Sequence, residues 1–218
     1  MKIVSNGEVR AFEERAIASG IPADVLMERA AAGIASVLLR EFPRPRPALV
    51  LAGKGNNGGD GLAVARRLAE AGWSVSVGLA FDPAQTEASP LCAAKLASFR
   101  AAAPTAPVLS LAGEGAEIPW PDSSGVVIDA LLGIGARGAL NPVLRRIVER
   151  ANAERNRRFF RVAAVDGPTG AHRLAEGEPA LVADLTLTLG FGKEPLFCEA
   201  AADSVGRLFA IPIFEGAD

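Results

Sequence analysis

The chain contains only one histidine and two cysteines in 218 residues. Structural zinc sites take their ligands mainly from cysteine and histidine, so a zinc site of the usual kind is not expected. Cys92 and Cys198 lie far apart in the sequence, and we interpret them as reduced thiols of a cytoplasmic protein rather than as a disulfide. The first residues contain no apolar stretch of the type found in secretory signals, so no such signal is predicted.

The sequence also lacks an excess of basic residues and a long apolar run. It carries 23 lysines and arginines against 25 aspartates and glutamates, a formal net charge of -2. Proteins that bind nucleic acids or anionic membranes need clustered positive charge, so we expect neither as a partner. A membrane-spanning helix requires about 18–20 consecutive apolar residues, which no segment provides. The length fits one domain over residues 1–218.

The spacing of apolar residues predicts alternating strands and helices. Two helices are predicted within residues 8–39, ahead of a core over residues 48–214. Residues 104–124, rich in proline, glycine and serine, are predicted to form an irregular connection. This alternation predicts an α/β fold with a mostly parallel central sheet covered on both faces. The core strands are predicted at 48–52, 73–80, 126–129, 161–165, 181–189 and 207–213, and its helices at 59–71, 89–102 and 140–152.

A glycine-rich turn over residues 53–61 is the most informative segment of the chain. It follows a short apolar strand and leads into a helix, the order in which backbone N–H groups approach a phosphate. Gly53, Gly55 and Gly58 have the G-x-G-x-x-G spacing of dinucleotide-binding folds, and Asp82 follows at a suitable distance. The spacing alone is a weak signal, and a tight strand–helix connection is the ordinary alternative.

The polar residues of this turn go beyond what phosphate binding requires. Asn56, Asn57 and Asp60 lie among the glycines. An aspartate would repel a diphosphate unless a cation or donors of the ligand intervene. The turn therefore does not fit a plain dehydrogenase, and the chain also lacks the separate substrate domain expected of one.

Two more polar clusters follow predicted strands. Asp129 ends a strand and precedes a glycine-rich loop over residues 133–139, and Asp166 begins the turn 166–170 after the next strand. Either aspartate alone is compatible with an ordinary turn cap. In a parallel sheet, however, these strand ends meet at one edge, where ligands bind. A carboxylate there is suited to acid/base chemistry, which makes Asp166 a catalytic candidate and the isolated His172 a weaker one.

Asn57, Asp129 and Thr169 together offer an amide oxygen, a carboxylate and a hydroxyl. These are hard oxygen donors, which suit an alkali or alkaline-earth cation and do not suit zinc. One negative charge among three ligands favours a monovalent ion over calcium, which usually binds several carboxylates.

Five sequence blocks occur in the order seen in the YjeF N-terminal family, which the chain resembles over nearly its whole length. The asparagine-rich glycine turn is the most specific of them, and Gly190 and Lys193 follow the last block. The blocks are Leu-Met-Glu-Arg-Ala at 26–30, Gly-Asn-Asn-Gly-Gly-Asp-Gly at 55–61, Asp-Ala-Leu-Leu-Gly at 129–133, Val-Asp-Gly-Pro-Thr-Gly at 165–170 and Ala-Asp-Leu-Thr at 183–186.

The resemblance implies a Rossmann-like three-layer αβα sandwich, often a homodimer, with one potassium ion bound per subunit. Members of the family are NAD(P)H-hydrate epimerases, isomerases that interconvert the R and S hydrates of NADH and NADPH in metabolite repair. The resemblance also implies functional coupling to a separate NAD(P)H-hydrate dehydratase. An alternative stays open, because some members of the family are non-catalytic nucleotide-binding or scaffold modules of the same fold.

Matching the motifs residue by residue implies roles for individual positions. Asp166 would be the acid/base residue, and Asn57, Asp129 and Thr169 would bind potassium. The family's last motif is usually Asp-Ile-Pro-Ser-Gly; here Thr169 keeps the hydroxyl of the serine, and Gly167 in place of isoleucine is expected to loosen the backbone beside Asp166. The substrate would be bound by Asn56, Asn57, Gly58, Gly59, Asp60, Gly133, Ile134, Gly135, Ala136, Arg137, Gly138, Ala139 and Asp166.

Overall fold

The computed structural model describes residues 2–171 and 178–214. Its strands, numbered in chain order, are β1 (Ile3–Val4), β2 (Pro47–Ala52), β3 (Ser74–Leu79), β4 (Val108–Ser110), β5 (Val126–Ala130), β6 (Arg161–Val165), β7 (Leu185–Leu189), β8 (Gly192–Lys193) and β9 (Arg207–Ile211). Its α-helices are α1 (Asn6–Ala18), α2 (Ala23–Glu41), α3 (Asn56–Glu70), α4 (Pro90–Ala102), α5 (Pro142–Arg158) and α6 (Ala202–Val205), and two short 3-10 helices lie at Glu194–Phe197 and Glu199–Ala201.

The central sheet has seven strands in the order β4-β3-β2-β5-β6-β7-β9, and all of its strand pairs are parallel. The predicted parallel α/β sheet is therefore confirmed. Strand order runs outward in one direction from β2 to β4 and in the other from β5 to β9. The point where the order reverses lies between β2 and β5, and this is where a crevice opens at the carboxyl edge of such sheets.

Side chains of each central strand alternate between two helical layers. Val50 and Ala52 of β2 face a core shared with α2, α3 and α4. Leu49 and Leu51 face a second core on the other side of the sheet, shared with α5. Both cores are fully enclosed, which is why β2 consists almost entirely of apolar residues rather than alternating with polar ones. The three-layer αβα arrangement is thus confirmed.

The N-terminal segment lies beside the carboxyl edge of the sheet. Ser5 caps α1 through a capping box with Glu8, which fixes where the helix begins. Ahead of the cap, β1 pairs in parallel with β8, so that Val4 lies opposite Lys193. Aromatic side chains of α1 and the C-terminal part hold the same region together. The ring centroids of Phe12 and Phe191 are 4.6 Å apart, and the two rings are tilted by 43°.

Several predicted boundaries are corrected by the structure. Residues 108–110, predicted to be irregular, form the edge strand β4, which is too short to produce a recognisable pattern. The strand predicted at 181–189 begins only at Leu185. Helix α5 continues to Arg158, where Arg157 and Arg158 both pair with Glu154. The single-domain organisation stays a prediction.

None of the helices within residues 2–171 and 178–214 combines the length and the apolar composition needed to cross a membrane. Cys92 is buried, Cys198 is half-buried, and both are free thiols, as expected from the sequence.

Helix α3 begins at Asn56, three residues before the predicted start, inside the glycine-rich segment. Glycine is a poor helix former, so tertiary contact rather than helix propensity fixes this first turn. A Cβ on Gly58 would overlap the carbonyl oxygen of Gly53, whereas a Cβ on Gly55 would meet open space. The turn is therefore held together by backbone packing that only glycine permits at position 58.

We expect Gly58→Ala to lower the free energy of unfolding by about 2 kcal/mol, because the overlap outweighs the gain of about 1 kcal/mol in helix propensity. The matched control Gly55→Ala should change it by less than about 1 kcal/mol. Urea denaturation of both variants measures the difference. Equal stabilities for the two would contradict the packing argument.

Candidate active site

A cavity of about 720 Å³ lies at the reversal point of the sheet. This volume is within the range of sites that enclose small-molecule ligands. Its walls come mainly from the glycine turn after β2, the segment after β3, the loop after β5, the segment around Asp166 after β6, and helix α1. The start of α5 and residues of β7 and β8 complete them. The three loops predicted to converge from strand order alone are brought together here.

Asp166 is held in one orientation at the edge of the cavity. Its backbone has a φ of 68°, a left-handed conformation that is uncommon for a residue other than glycine. Its Oδ2 accepts a hydrogen bond of 3.0 Å from the backbone N–H of Ile134, and its Oδ1 forms an ion pair with the buried ammonium of Lys193. Both partners stabilise the negatively charged carboxylate.

Gly167, the position that departs from the family motif, lies in a confined space. A Cβ there would come within 3.2 Å of both Ile134 and Leu196. These two apolar side chains occupy the room into which a larger residue would extend. The backbone beside Asp166 is therefore restrained by its neighbours, in addition to the two bonds that hold the Asp166 carboxylate.

Asp129 and Thr169 form a buried pair outside the cavity wall, and neither is accessible to solvent. The Thr169 hydroxyl donates to Asp129 Oδ1 at 2.8 Å, and the Thr169 backbone N–H donates to Oδ2 at 2.7 Å. Burial raises the pKa of Asp129 to about 6, although hydrogen bonds from Thr169 and Leu131 act in the opposite direction. No lysine or arginine forms a salt bridge with this carboxylate anywhere in the described part of the chain.

Asn57 connects the glycine turn to the loop after β5. In the amide orientation that its neighbours satisfy, its nitrogen donates to the Val165 carbonyl at 3.3 Å and its oxygen accepts from the Gly133 N–H at 3.2 Å. The adjacent Asn56 accepts a 2.9 Å hydrogen bond from Ser89, the residue that caps α4. The two asparagines therefore fix the turn against its surroundings as well as facing the cavity.

The predicted substrate-binding residues occupy different positions relative to the cavity. Gly58 and Gly59 are buried in the first turn of α3, and Arg137, Gly138 and Ala139 lie outside the cavity wall, so their part in binding stays a prediction. His172 falls outside the described residues. The wall itself includes Asn56, Asn57, Asp60, Gly133, Ile134, Gly135, Ala136 and Asp166, together with Asp82.

Sequence reasoning missed two contributors to the site. Lys193, noted only as part of the family pattern, is 3% exposed and reaches Asp166 from β8. Helix α1 adds Asn6, Arg10 and Glu13 to the wall, and Asn6 donates a hydrogen bond to the Ile134 carbonyl. In the sequence, Lys193 was visible only as the lysine that follows Gly190 after the last family block. Nothing local indicated which acid it would meet.

The fold and the cavity define a doubly wound α/β protein with a ligand site at the switch point of its sheet. A family model described as the YjeF-related protein N-terminus matches residues 23–194. The chain belongs to this family. The match begins at the first residue of α2, so α1 and β1 lie outside it although α1 lines the cavity.

Curated relatives match most of the chain. A protein named NAD(P)H-hydrate epimerase from Limosilactobacillus fermentum is 31% identical over 87% of this chain and 85% of its own length. A protein of the same name from Rhodopirellula baltica is 35% identical over 88% of this chain and 76% of its own length. A protein from Escherichia coli named bifunctional NAD(P)H-hydrate repair enzyme Nnr is 33% identical over 91% of this chain, which spans 36% of that protein.

The crystal structure of a yeast protein, YNL200c, has a similar fold. It covers 88% of this chain and 82% of its own, with a TM-score of 0.71 and 22% sequence identity. This likeness supports the fold alone.

The ion pair between Lys193 and Asp166 is expected to couple the two residues energetically. Lys193→Met leaves a largely buried carboxylate without its cation, and we expect a loss of about 3 kcal/mol in the free energy of unfolding. Adding Asp166→Asn should recover at least about 1 kcal/mol of that loss. Urea denaturation of the single and double variants measures the coupling.

Lys54→Met provides the matched control, because Lys54 is an exposed lysine at the same cavity. It should change stability by no more than about 0.5 kcal/mol. A double variant no more stable than Lys193→Met would contradict the coupling.

Proposed function

We propose that this protein is an NAD(P)H-hydrate epimerase, an isomerase that interconverts the R and S hydrates of NADH and NADPH. The observation that carries the proposal is Asp166, whose carboxylate is oriented by Lys193 and the Ile134 N–H at the edge of a large cavity. Relatives of similar length named NAD(P)H-hydrate epimerase support the same activity.

The chemistry of the substrate matches a site with an oriented carboxylate. The hydrate has a hydroxyl on C6, next to the ring nitrogen, so this carbon is a hemiaminal centre. Its configuration changes when the nitrogen lone pair helps to expel the hydroxyl, or when the ring opens and closes again. Both routes require a proton to be delivered to oxygen and later withdrawn, and we assign that proton transfer to Asp166.

The rest of the cavity is suited to hold a dinucleotide in place. Helix α3 begins at Asn56, and the free N–H groups at a helix start favour a phosphate. Gly133, the first residue of the loop after β5, has no side chain and lies close to both Asp166 and Asn57. Binding by these two segments would fix the substrate ring beside Asp166, which is the main contribution that positioning makes to catalysis.

The residues assigned to potassium fit a monovalent cation. Asp129 is a fully buried carboxylate without a salt-bridge partner among the described residues, so a positive charge would compensate it. Among the described residues, no group of three or more acidic, cysteine or histidine side chains is placed to hold a metal ion, as a divalent or zinc site would require. Thr169 and Asn57 would supply neutral oxygens. A bound ion would supply a fixed positive charge that orders the three loops around the substrate.

The test of the epimerase proposal uses mixed NADH hydrates and a dehydratase specific for the S form. The protein should accelerate consumption of the R hydrate, because the dehydratase removes only what has been converted to S. Asp166→Asn should lower the rate at least about a hundredfold, the usual contribution of a general acid or base. Consumption is followed as the recovery of reduced nicotinamide absorbance.

The same reaction without protein measures spontaneous epimerisation and is subtracted. An Asp166→Asn variant that turns over as fast as the parent would remove Asp166 from the mechanism. If the parent protein itself gives no acceleration, the non-catalytic nucleotide-binding or scaffold function takes the place of the epimerase.

Potassium is expected to stabilise the protein in a pH-dependent way. Burial raises the pKa of Asp129 to about 6, so the buried carboxyl group becomes ionised as pH rises through this value. Burying the ionised form lowers the free energy of unfolding, and potassium binds that ionised form. At pH 8, potassium at ten times its Kd should add about 1.4 kcal/mol, or roughly 3–6 °C in Tm, compared with choline chloride. At pH 5 the difference should nearly vanish.

Two variants separate specific binding from a general salt effect. Thr169→Ser keeps the hydroxyl and should keep the potassium response, whereas Asp129→Asn should abolish it. A response of equal size to choline and potassium would count against the ion site.

Coupling to a separate NAD(P)H-hydrate dehydratase belongs to the same proposal, supported by relatives named as bifunctional NAD(P)H-hydrate repair enzymes. The homodimer implied by the family and the cytoplasmic location expected from the cysteines stay predictions.

A further inference from the structure

Asp60 is a second acidic residue of the cavity, and its carboxyl group has no partner among the described residues. The residue is 8% exposed and faces the cavity from the first turns of α3. In the described part of the chain, no group donates a hydrogen bond to its carboxyl, and no lysine or arginine forms a salt bridge with it. Its oxygens are reached from the cavity, so a ligand bound there can supply the hydrogen-bond partner that the described residues do not.

The surroundings of Asp60 favour its neutral form. Burial raises the pKa of its carboxyl well above the ordinary value, and the negative charges of Asp166 and Glu13 act in the same direction. The ammonium groups of Lys193 and Lys95 oppose this shift without cancelling it. The thiol of Cys92, on α4, is also near, and its own pKa is raised to about 11, so it stays neutral.

Asp166 lies in a different environment. Its two oxygens are occupied by the Lys193 ammonium and the Ile134 N–H. The cavity therefore holds one carboxyl group without a partner among the described residues and one whose two oxygens both have partners. Two carboxyl groups in such different environments can take different roles in an active site.

The sheet order places these two groups on different sides of the site. Asp60 belongs to the helix that follows β2, Asp166 follows β6, and β5 lies between those strands. Gly133, in the loop after β5, approaches both sides: a Cβ built on it would be 2.9 Å from Asp166 Oδ2 and 3.5 Å from Asn57, one turn before Asp60. A ring bound against Gly133 would lie beside Asp166 and close to the first turn of α3, the helix that carries Asp60.

We propose that Asp60 is a second catalytic residue, which takes over from Asp166 the delivery of a proton to the C6 hydroxyl on one face of the nicotinamide ring, so that Asp166 only withdraws a proton on the other face. The proposal rests on the epimerase function proposed above. It explains why an epimerase would need two carboxyl groups, since the hydroxyl has to leave one face of the ring and return to the other.

The proton and electron balance is complete without another reactant. The neutral Asp60 carboxyl protonates the hydroxyl, the C6–O bond breaks, and the ring nitrogen lone pair forms the C6=N iminium as water leaves. Water then adds to C6 from the opposite face, and the Asp166 carboxylate takes its proton. The net result is an inverted centre and one proton moved from Asp60 to Asp166, which exchange with solvent reverses.

The test compares Asp60→Asn with Glu14→Gln in the coupled hydrate assay. We expect Asp60→Asn to lower kcat at least about a hundredfold, with the Kd for NADPH hydrate, measured by calorimetry, within about threefold of the parent. Glu14→Gln removes an exposed acid of α1 that does not line the cavity, and should change kcat by less than about threefold. Asp60→Glu, which keeps a carboxyl group, should retain more activity than Asp60→Asn.

The pH profile adds a measurement that a purely structural role would not change. A proton donor has to be protonated, so the parent's kcat should fall as pH rises through the pKa of Asp60, and the residual activity of Asp60→Asn should lack this alkaline fall. Thermal unfolding at pH 8 checks folding, and Asp60→Asn should be at least as stable as the parent, because it removes a buried ionisable group.

The outcomes separate the two proposals. A parent protein without epimerase activity ends the proposed function itself. An active parent whose Asp60→Asn variant keeps its kcat within threefold and its alkaline fall would overturn the role of Asp60 and leave the epimerase intact. Equal losses in Asp60→Asn and Glu14→Gln would also overturn it, because removal of an acidic group anywhere near the site would then explain the effect.

Discussion

The site depends on direct backbone contact between the glycine turn and the chain that leaves β5. The Gly53 N–H donates to the Ala130 carbonyl at 3.0 Å, and a Cβ on Gly53 would overlap the carbonyl of Leu131. The start of α3 then packs on Gly53 through Gly58. With ordinary side chains at these positions the two loops would move apart, and Asn57 would lose its bonds to Gly133 and Val165. The contact therefore sets the distances between all the polar groups of the cavity.

Charge is distributed unevenly over this framework. Among the described residues, Asp129 lies deepest and has no cation of its own, Asp166 has Lys193, and Asp60 has no partner at all. Three aspartates in one small region would repel each other if all were ionised and unpaired. Their separate environments resolve this conflict. In the proposed mechanism the same differences give the aspartates different chemical roles, since Asp129 holds an ion, Asp166 accepts a proton and Asp60 delivers one.

Much of this arrangement was predictable from the sequence, and the exceptions have a common cause. The parallel sheet and the convergence of the loops that carry Asn57, Asp129 and Asp166 followed from apolar periodicity and from the rule that ligands bind at the carboxyl edge of parallel strands. The start of α3 was misplaced, because glycine packing overrides helix propensity there. Lys193 and the cavity face of α1 were missed, because a two-residue strand pairing between β1 and β8 leaves no periodic signal. Local patterns therefore identified the loops but not the long-range contacts that complete the site.

The pairing of β1 with β8 has a consequence for how the protein is made. Residues 3 and 4 are translated long before their partners at 192 and 193, which lie far along the chain. Bringing such distant segments together is entropically costly and slow compared with local structure formation. The first strands of the central sheet can assemble on the ribosome before the Lys193 ammonium reaches the wall formed by α1. A nascent chain would thus hold the framework of the pocket before it holds a competent catalyst.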